Sequence, residues 1–314
     1  MRLSDGYGST SILMNINPFI RGSLKDVQEF KPGIVLLVGN GAIKGDTWKP
    51  VNDTKAEFAR GVFTVETSKG IFKEVRERSD PYIKFINEEF FLANLGYVTK
   101  TYRARLGDPG LKPELREELE KGLKGFLEGR KDLERRYHEQ QASFSLKELP
   151  VEVIKYLNEL KNKKIGIITT NWDSTIESIE TKYPFSTQIL YVHGICSEAG
   201  SIVLPVEMVL DIDKTTHVGN ALRAVHHQAI CWVEKCEHLI VWGSALHTYD
   251  AELASILMNA VSTQSKKNNP HLTIINPDAE ARNRAAGLFH FETRPLTVLD
   301  RLSTSTLLNT KKVD

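Results

Sequence analysis

Asn171, Asp173 and His193 are the residues of this chain best placed for chemistry, because each follows directly on a short apolar run. Asn171 and Asp173 belong to TTNWD (169–173), behind IGII, and His193 to VHG (192–194), behind QILY. A carboxamide and a carboxylate two residues apart can hold a polar group, and an imidazole that titrates near neutrality can take or give a proton. Three other apolar runs end in groups suited to binding: Gly39-Asn40-Gly41, Gly243-Ser244 and Asn276. Gly39 and Gly41 permit a tight turn and close approach of backbone to a phosphate. The pair is an incomplete G-x-G-x-x-G, since position 44 is lysine. Each residue also has a plainer reading. Asp173 can cap a helix over STIESIE, Asn171 can serve a turn, His193 can be a satisfied core histidine, and GNGA can be an ordinary turn.

The elements that must position these groups are five runs: GIVLLVG (33–39), KIGIITT (164–170), QILYVHG (188–194), HLIVWGS (238–244) and HLTIIN (271–276). Their nearly continuous Ile, Val and Leu content suits strands buried on both faces, as in a parallel sheet covered by helices. Helical patterns lie between them, in VEVIKYLNELKNK, DSTIESIETKY, HVGNALRAVHHQAICWVEKCE and AELASILMNAVSTQSK. Strand and helix in alternation predict an α/β fold with a Rossmann-like, doubly wound, mostly parallel sheet. Residues 72–148 are too long and too rich in Glu–Lys/Arg pairs for one crossover and predict a helical insertion subdomain. The Rossmann domain then comprises 1–71 plus 149–314. Residues 46–71 read as irregular, with a short strand at GVFTVET, and the tail after PLTVLD as frayed. In such sheets ligands bind beyond the carboxyl ends of the strands, where all the candidate groups fall.

Length and composition bound the rest. A chain of 314 residues with 41% hydrophobic and 26% charged residues fits a globular protein of one elaborated domain. A net charge of +1 supplies no global field for nucleic acid or anionic membrane, so neither partner is expected. No run approaches the ~20 apolar residues of a membrane span, and MRLSDGYGSTSILMNINPF lacks the pattern of a secretory leader. Three cysteines without C-x-x-C spacing fit a reducing, cytoplasmic setting.

Taken together, V-G-N-G-A, T-T-N-W-D, V-H-G, W-G-S-A-L-H-T-Y-D and I-I-N-P-D resemble the strand ends of the sirtuin-like superfamily, in particular its bacterial NAD-hydrolase branch. The pairing of T-T-N-x-D with H-G is the specific part of the likeness, which spans 33–278 and leaves the helical insertion unmatched. The resemblance implies a Rossmann-like sheet that binds NAD as substrate and cleaves its nicotinamide–ribose bond without a metal. It puts Gly39, Asn40 and Gly41 at the pyrophosphate turn. Asn171 and Asp173, with Thr170, fall near the nicotinamide and its ribose, and His193 at the ribose hydroxyls or in the role of general base. Gly243 and Ser244 fall at phosphate or the adenosine ribose, and Asn276 on the adenosine side. Such chemistry asks a protein to hold an oxocarbenium-like ribose and to position a water, for which a carboxamide, a carboxylate and an imidazole are suitable groups. The branch further implies an antiviral, abortive-infection role, with homo-oligomers or a partner such as a ring-forming ATPase. The chain departs from the protein deacylases of the superfamily. It cannot build their four-cysteine zinc ribbon, and IKGDTWKPVN (43–52) stands where they carry G-I-P-D-F-R. A deacylase without the ribbon and a non-catalytic NAD or ADP-ribose sensor are the alternatives.

Two further clusters have bland readings. His226, His227, Cys231, Cys236 and His238 crowd one segment and could hold a metal, His227 and Cys231 sharing a helix face, but that segment is also a good amphipathic helix running into a strand. His247 can point into the site, and Asp250 can start the next helix. The charged helices at 111–140 read as a solvated surface or an interface.

Overall fold

The computed structural model describes residues 17–21, 29–60, 62, 88–159, 164–183, 187–207, 217–247, 250–263, 271–288 and 296–299. Its centre is a seven-stranded sheet. In chain order the strands are β1 (Ile20–Arg21), β2 (Ile34–Val38), β5 (Ile165–Thr169), β6 (Thr187–Tyr191), β7 (His238–Trp242), β8 (His271–Ile275) and β9 (Leu296–Leu299). Across the sheet they lie β1-β6-β5-β2-β7-β8-β9, and every pair is parallel except β1 on β6. Numbered among themselves, the six parallel strands run 3-2-1-4-5-6, the order of the doubly wound dinucleotide-binding sheet. All five residues of β2 and all five of β5 are buried, which accounts for their unbroken apolar runs. Strands β3 (Ile43–Lys44) and β4 (Ser145–Leu146) form a separate two-stranded pair.

Flanking the sheet are helices α1 (Lys49–Ala59), α2 (Glu88–Leu106), α3 (Pro113–Gln140), α4 (Val151–Glu159), α5 (Ile179–Lys182), α6 (His217–Lys235), α7 (Ala251–Thr263) and α8 (Ala279–Leu288). Helix α3 starts with proline at its first position and Glu114 in its first turn, both favourable at a helix N-terminus. It buries Leu119, Leu133 and Tyr137 along one stripe and half-buries Phe126. Phe126 stacks on Phe58 of α1 at 5.8 Å and meets Tyr102 of α2 edge-on at 5.7 Å, so α1, α2 and α3 share one aromatic seam. Inside β5, Gly166 leaves room for Trp232 of α6, because a Cβ there would lie 2.7 Å from the indole.

Two expectations change. Residues 49–59, read as irregular, form α1, with Pro50 in its first turn. The segment after Asp173 forms a 3-10 turn over Thr175–Ser178 and then one short α turn, since Thr175 and two serines compete for local backbone hydrogen bonds. Strand β9, within PLTVLD, adds an element that the five apolar runs did not include. The expected strand at GVFTVET, apart from Val62, and the tail after residue 299 lie outside the described residues. No helix among the described residues is long and apolar enough to cross a membrane.

Candidate active site at the carboxyl ends of the parallel strands

The glycine turns after β2 and β7 are packed onto each other. Gly39 donates its N–H to Trp242 O at 3.0 Å, and Gly41 donates to Gly243 O at 2.8 Å. A Cβ on Gly41 would stand 2.7 Å from Gly243 O, and one on Gly39 would stand 2.5 Å from Ser244 Cα. Gly243 itself holds φ +64°, and a Cβ there would lie 2.3 Å from Ala42 N. The close approach that these glycines permit is therefore made by another stretch of backbone, and the Gly39 and Gly41 N–H groups are occupied. Lys147 adds an ammonium at the same turn, donating from Nζ to Gly41 O at 2.8 Å. Burial and the neighbouring Lys44 lower its pKa.

On the other side of β2, the end of β5 carries buried polar groups that lack partners. Asn171 is 5% exposed, its Nδ2 reaches Gly39 O only at 3.5 Å, and its Oδ1 accepts no hydrogen bond. Trp172 Nε1 is likewise buried without an acceptor, and the indole meets Tyr137 of α3 edge-on at 5.2 Å. Asp173 is 1% exposed and accepts the Thr175 N–H at 2.9 Å in a local turn, while Ser174, and not Asp173 as expected, stands at the cap of the following 3-10 turn. Burial raises its pKa, and the Thr175 hydrogen bonds only partly offset that. Burial also pushes the Cys196 thiol up to about 12, with the nearby Asp173 charge adding to it, so Cys196 is not a thiolate nucleophile at neutral pH.

Beyond β6, His193 is buried between β5 and α7. Its Nε2 stands 3.2 Å from Asp250 Oδ1, an ion-pair distance without hydrogen-bond alignment. Burial disfavours the charged imidazole, but the Asp250 charge beside it, with the Glu252 charge, outweighs that and raises the pKa. Burial would raise Asp250 in turn, yet His193 and the Leu253 N–H lower it. Next to this pair lies a second one: His226 of α6 bonds through Nδ1 to Glu252 and through Nε2 to Val192 O at 2.5 Å. Gly194 turns the chain away at φ +77°, where a Cβ would collide with Ser201 O at 2.0 Å, so the glycine of the H-G pair is required by packing.

The loop that follows is clamped by α3. Glu134 accepts from Gly200 N at 2.9 Å and Ile202 N at 3.2 Å, and Arg130 pairs with Glu207 and Ile202 O. Burial raises the Glu134 pKa against these hydrogen bonds. On the far side of the sheet both ends of Asn276 are occupied. Its Nδ2 donates to Ser244 O at 3.0 Å and its Oδ1 accepts the Asp278 N–H at 3.0 Å, which ties the β8 turn to the β7 turn. An open cleft of 340 Å³ adjoins the Asp173 turn, lined by Gln141, Phe144, Ser145, Ser174, Thr175 and Lys182 among others.

The structure thus sets Asn171 against Gly39 and His193 against Asp250, turns Asp173 back onto Thr175 beside Cys196, and places Gly41, Gly243, Ser244 and Asn276 in a bonded seam with Gly39. Asp250 was legible only as a helix start. Glu134 lies within the buried stripe of α3, between Leu133 and Tyr137, and that position was the one signal that set it apart from the solvated charges around it. Of the His/Cys segment, His226 is held by Glu252 and His238 by Tyr156 and Thr273, and no group of three or more metal-ligating side chains is found among the described residues. The protein is of the Rossmann-like α/β class by its strand order. Its sequence matches no protein-family model, and no curated protein matches it.

Proposed function

We propose that this protein hydrolyses NAD to nicotinamide and ADP-ribose. The observation that carries the reading is a pair of buried polar atoms without hydrogen-bond partners, Asn171 Oδ1 and Trp172 Nε1, at the end of β5, with His193 Nε2 beyond the adjacent strand met only by the Asp250 carboxylate at 3.2 Å, in a 3-2-1-4-5-6 sheet. Buried polar atoms are ordinarily paired, and a cluster at strand ends marks where a polar ligand completes them. In the reaction the ribose–nicotinamide C–N bond breaks and its electron pair leaves with nicotinamide. Water oxygen bonds to the ribose carbon, and the water proton passes to a base. Asn171 fits the role of holding the departing amide or the ribose, and His193 the role of contacting the ribose hydroxyls or the water. The buried Asp173 carboxylate favours the developing positive charge. With the Gly39 and Gly41 N–H groups occupied, the phosphates fall to other donors, and Lys147 places a cation at that turn. The sirtuin-like resemblance of the motifs supports the same chemistry, and with it a defence role in which NAD is depleted on triggering, alone as an oligomer or with a partner.

The test is release of nicotinamide and ADP-ribose from NAD by the purified chain beside Asn171→Ala and His193→Ala. Release that both variants lose supports the reading. NAD bound with equal affinity by all three, and never cleaved, would overturn it.

A further inference from the structure

The strongest unassigned arrangement is one face of helix α3. Arg130, Glu134, Tyr137 and Gln141 recur at intervals of four, three and four, which puts them in a single stripe along the helix. Between them they grip three strand-end loops. Arg130 bonds Glu207 and Ile202 O, and Glu134 accepts from Gly200 N and Ile202 N, so both hold the loop after β6. Tyr137 donates its hydroxyl to Thr47 O at 2.5 Å, in the segment between β3 and α1, and its ring meets Trp172 at the end of β5. Gln141 Oε1 accepts from Ser174 Oγ at 3.3 Å, just beyond Trp172. The turns after β7 and β8 are tied in another way. They bond to the β2 turn and to each other, through Gly41 N–H to Gly243 O and Asn276 Nδ2 to Ser244 O. Lys147, beyond β4, joins that seam at Gly41 O and is no part of the α3 face.

We propose that Tyr137 is a positioning residue of the candidate site: it fixes the TTNWD end of β5, and with it the groups that act on the scissile bond, while the seam holds the rest of the substrate without it. This rests on the reading of the strand ends as a site of NAD hydrolysis. The geometry gives the reason. Asn171 has few bonds of its own. Its backbone N–H goes to Thr169 Oγ1 at 3.1 Å, and its carboxamide touches only Gly39 O, at 3.5 Å. The neighbouring Trp172 must therefore do most to place it. The Trp172 Nε1 has no acceptor, so packing orients that indole, and the aromatic ring it packs on is Tyr137. Tyr137 is itself held, by its hydroxyl on Thr47 O and by Phe144 edge-on at 6.2 Å. Trp172 O accepts the Cys196 N–H at 2.7 Å, so a shift of the indole passes on to the chain after His193. Altering Tyr137 moves this side of the site against the seam. A substrate that spans both would keep its phosphate and adenosine end in place and lose alignment at the ribose–nicotinamide bond, where a misplacement of about 1 Å costs about 100-fold in rate.

The experiment compares the full-length wild type with Tyr137→Phe, which keeps the ring and loses the hydroxyl, and with Tyr137→Leu, which loses both. The readouts are kcat and KM for nicotinamide release, affinity for ADP-ribose, which lacks the nicotinamide end, and amide hydrogen exchange. The expected result is a fall in kcat of about 100-fold in Tyr137→Leu and a smaller fall in Tyr137→Phe, with KM and ADP-ribose affinity unchanged in both. Exchange should quicken at Asn171 and Cys196 and stay slow at Gly39 and Gly41, whose N–H groups lie in the seam. Protection at Asn171 and Cys196 that stays as in wild type in Tyr137→Leu overturns the proposal, whether or not NAD is cleaved. So does ADP-ribose affinity that falls in step with kcat, or exchange that quickens equally at all four amides, since either is the mark of a merely structural residue. If Tyr137→Leu does not fold, Tyr137→Phe decides, and wild-type kcat with wild-type exchange overturns the proposal. Failure of the parent reading shows differently: the wild type releases no nicotinamide, and the exchange comparison still tells whether Tyr137 fixes the end of β5.

Discussion

Asn171 leans over Gly39 with its Nδ2 3.5 Å from the glycine carbonyl and its Oδ1 buried and unpartnered. A carboxamide held this loosely on the donor side and not at all on the acceptor side is positioned by the backbone of TTNWD more than by its own bonds. Asn171→Ala therefore removes little stabilisation from the free protein and relieves one buried unpaired acceptor. Its unfolding midpoint in urea is expected to stay within about 1 kcal/mol of wild type, while kcat for nicotinamide release falls roughly 100- to 1000-fold. A large loss of stability with unchanged kcat would show the residue to be structural.

Asp173 gives the opposite pattern. Its pKa is raised by burial, so the ionised form opposes folding at neutral pH and that penalty disappears as pH falls through the raised value. Asp173→Asn keeps an acceptor for the Thr175 N–H and removes the charge. The expected outcome is a higher thermal midpoint at pH 7 together with slower NAD cleavage, the combination expected of a charge kept for function at a cost in stability.

The His193–Asp250 pair makes stability itself pH-dependent. The His193 pKa is raised on folding, so its contribution is complete below the ordinary 6.5 and is lost as pH rises through the folded value. The Asp250 pKa is lowered, so its contribution is complete above the ordinary 3.8 and is lost as pH falls through the folded value. The pair stabilises most between 3.8 and 6.5. In urea unfolding, the margin of wild type over Asp250→Asn should be larger at about pH 5 than at about pH 9. An equal margin at both would contradict the pairing.

Glu134 holds the loop that carries Gly194 to Glu207 by accepting two backbone N–H groups. Glu134→Ala leaves both without a partner and is expected to cost about 2–4 kcal/mol. Amide exchange at Gly200 and Ile202 should quicken before any global unfolding. Protection that stays as in wild type at those two amides would place the loop's anchor elsewhere, on Arg130 and Glu207.

The glycines differ in ways that substitution can read. Gly243→Ala meets both φ +64° and backbone at 2.3 Å, and should cost more than about 2 kcal/mol. Gly200 shares a positive φ but has nothing within 4 Å of a Cβ, so Gly200→Ala should cost only about 1–2 kcal/mol. Gly287, inside α8 with open space around it, should gain up to about 1 kcal/mol as alanine. Denaturant midpoints of the three variants test the order.

The strands were legible because their burial on both faces leaves an unbroken apolar signature, as in IVLLV and IGIIT. Their ends were legible for the same reason, since any polar residue that interrupts such a run stands out. Helix α1 was not, because KPVNDTKAEFA carries only three or four apolar side chains and takes its place from packing Val51 and Phe58 into the core. The short strands β1, β3 and β4 have two residues each, below the length at which alternation can be seen. In the site, Asn171, Asp173 and His193 could be named from the chain, whereas the His193–Asp250 contact joins positions 57 apart and depends on how β6 and α7 are set against each other. The occupied state of the Gly39 and Gly41 N–H groups was likewise a property of β7 and not of the turn in which they lie.

The seam between Gly41 and Gly243 has a consequence for inheritance. Each glycine is required by the backbone of the other, so a side chain gained at either position alone is selected against whatever becomes of the ligand. Relatives of this chain should keep both glycines, and a homologue that has lost either would have to carry a rebuilt turn after β2 or β7.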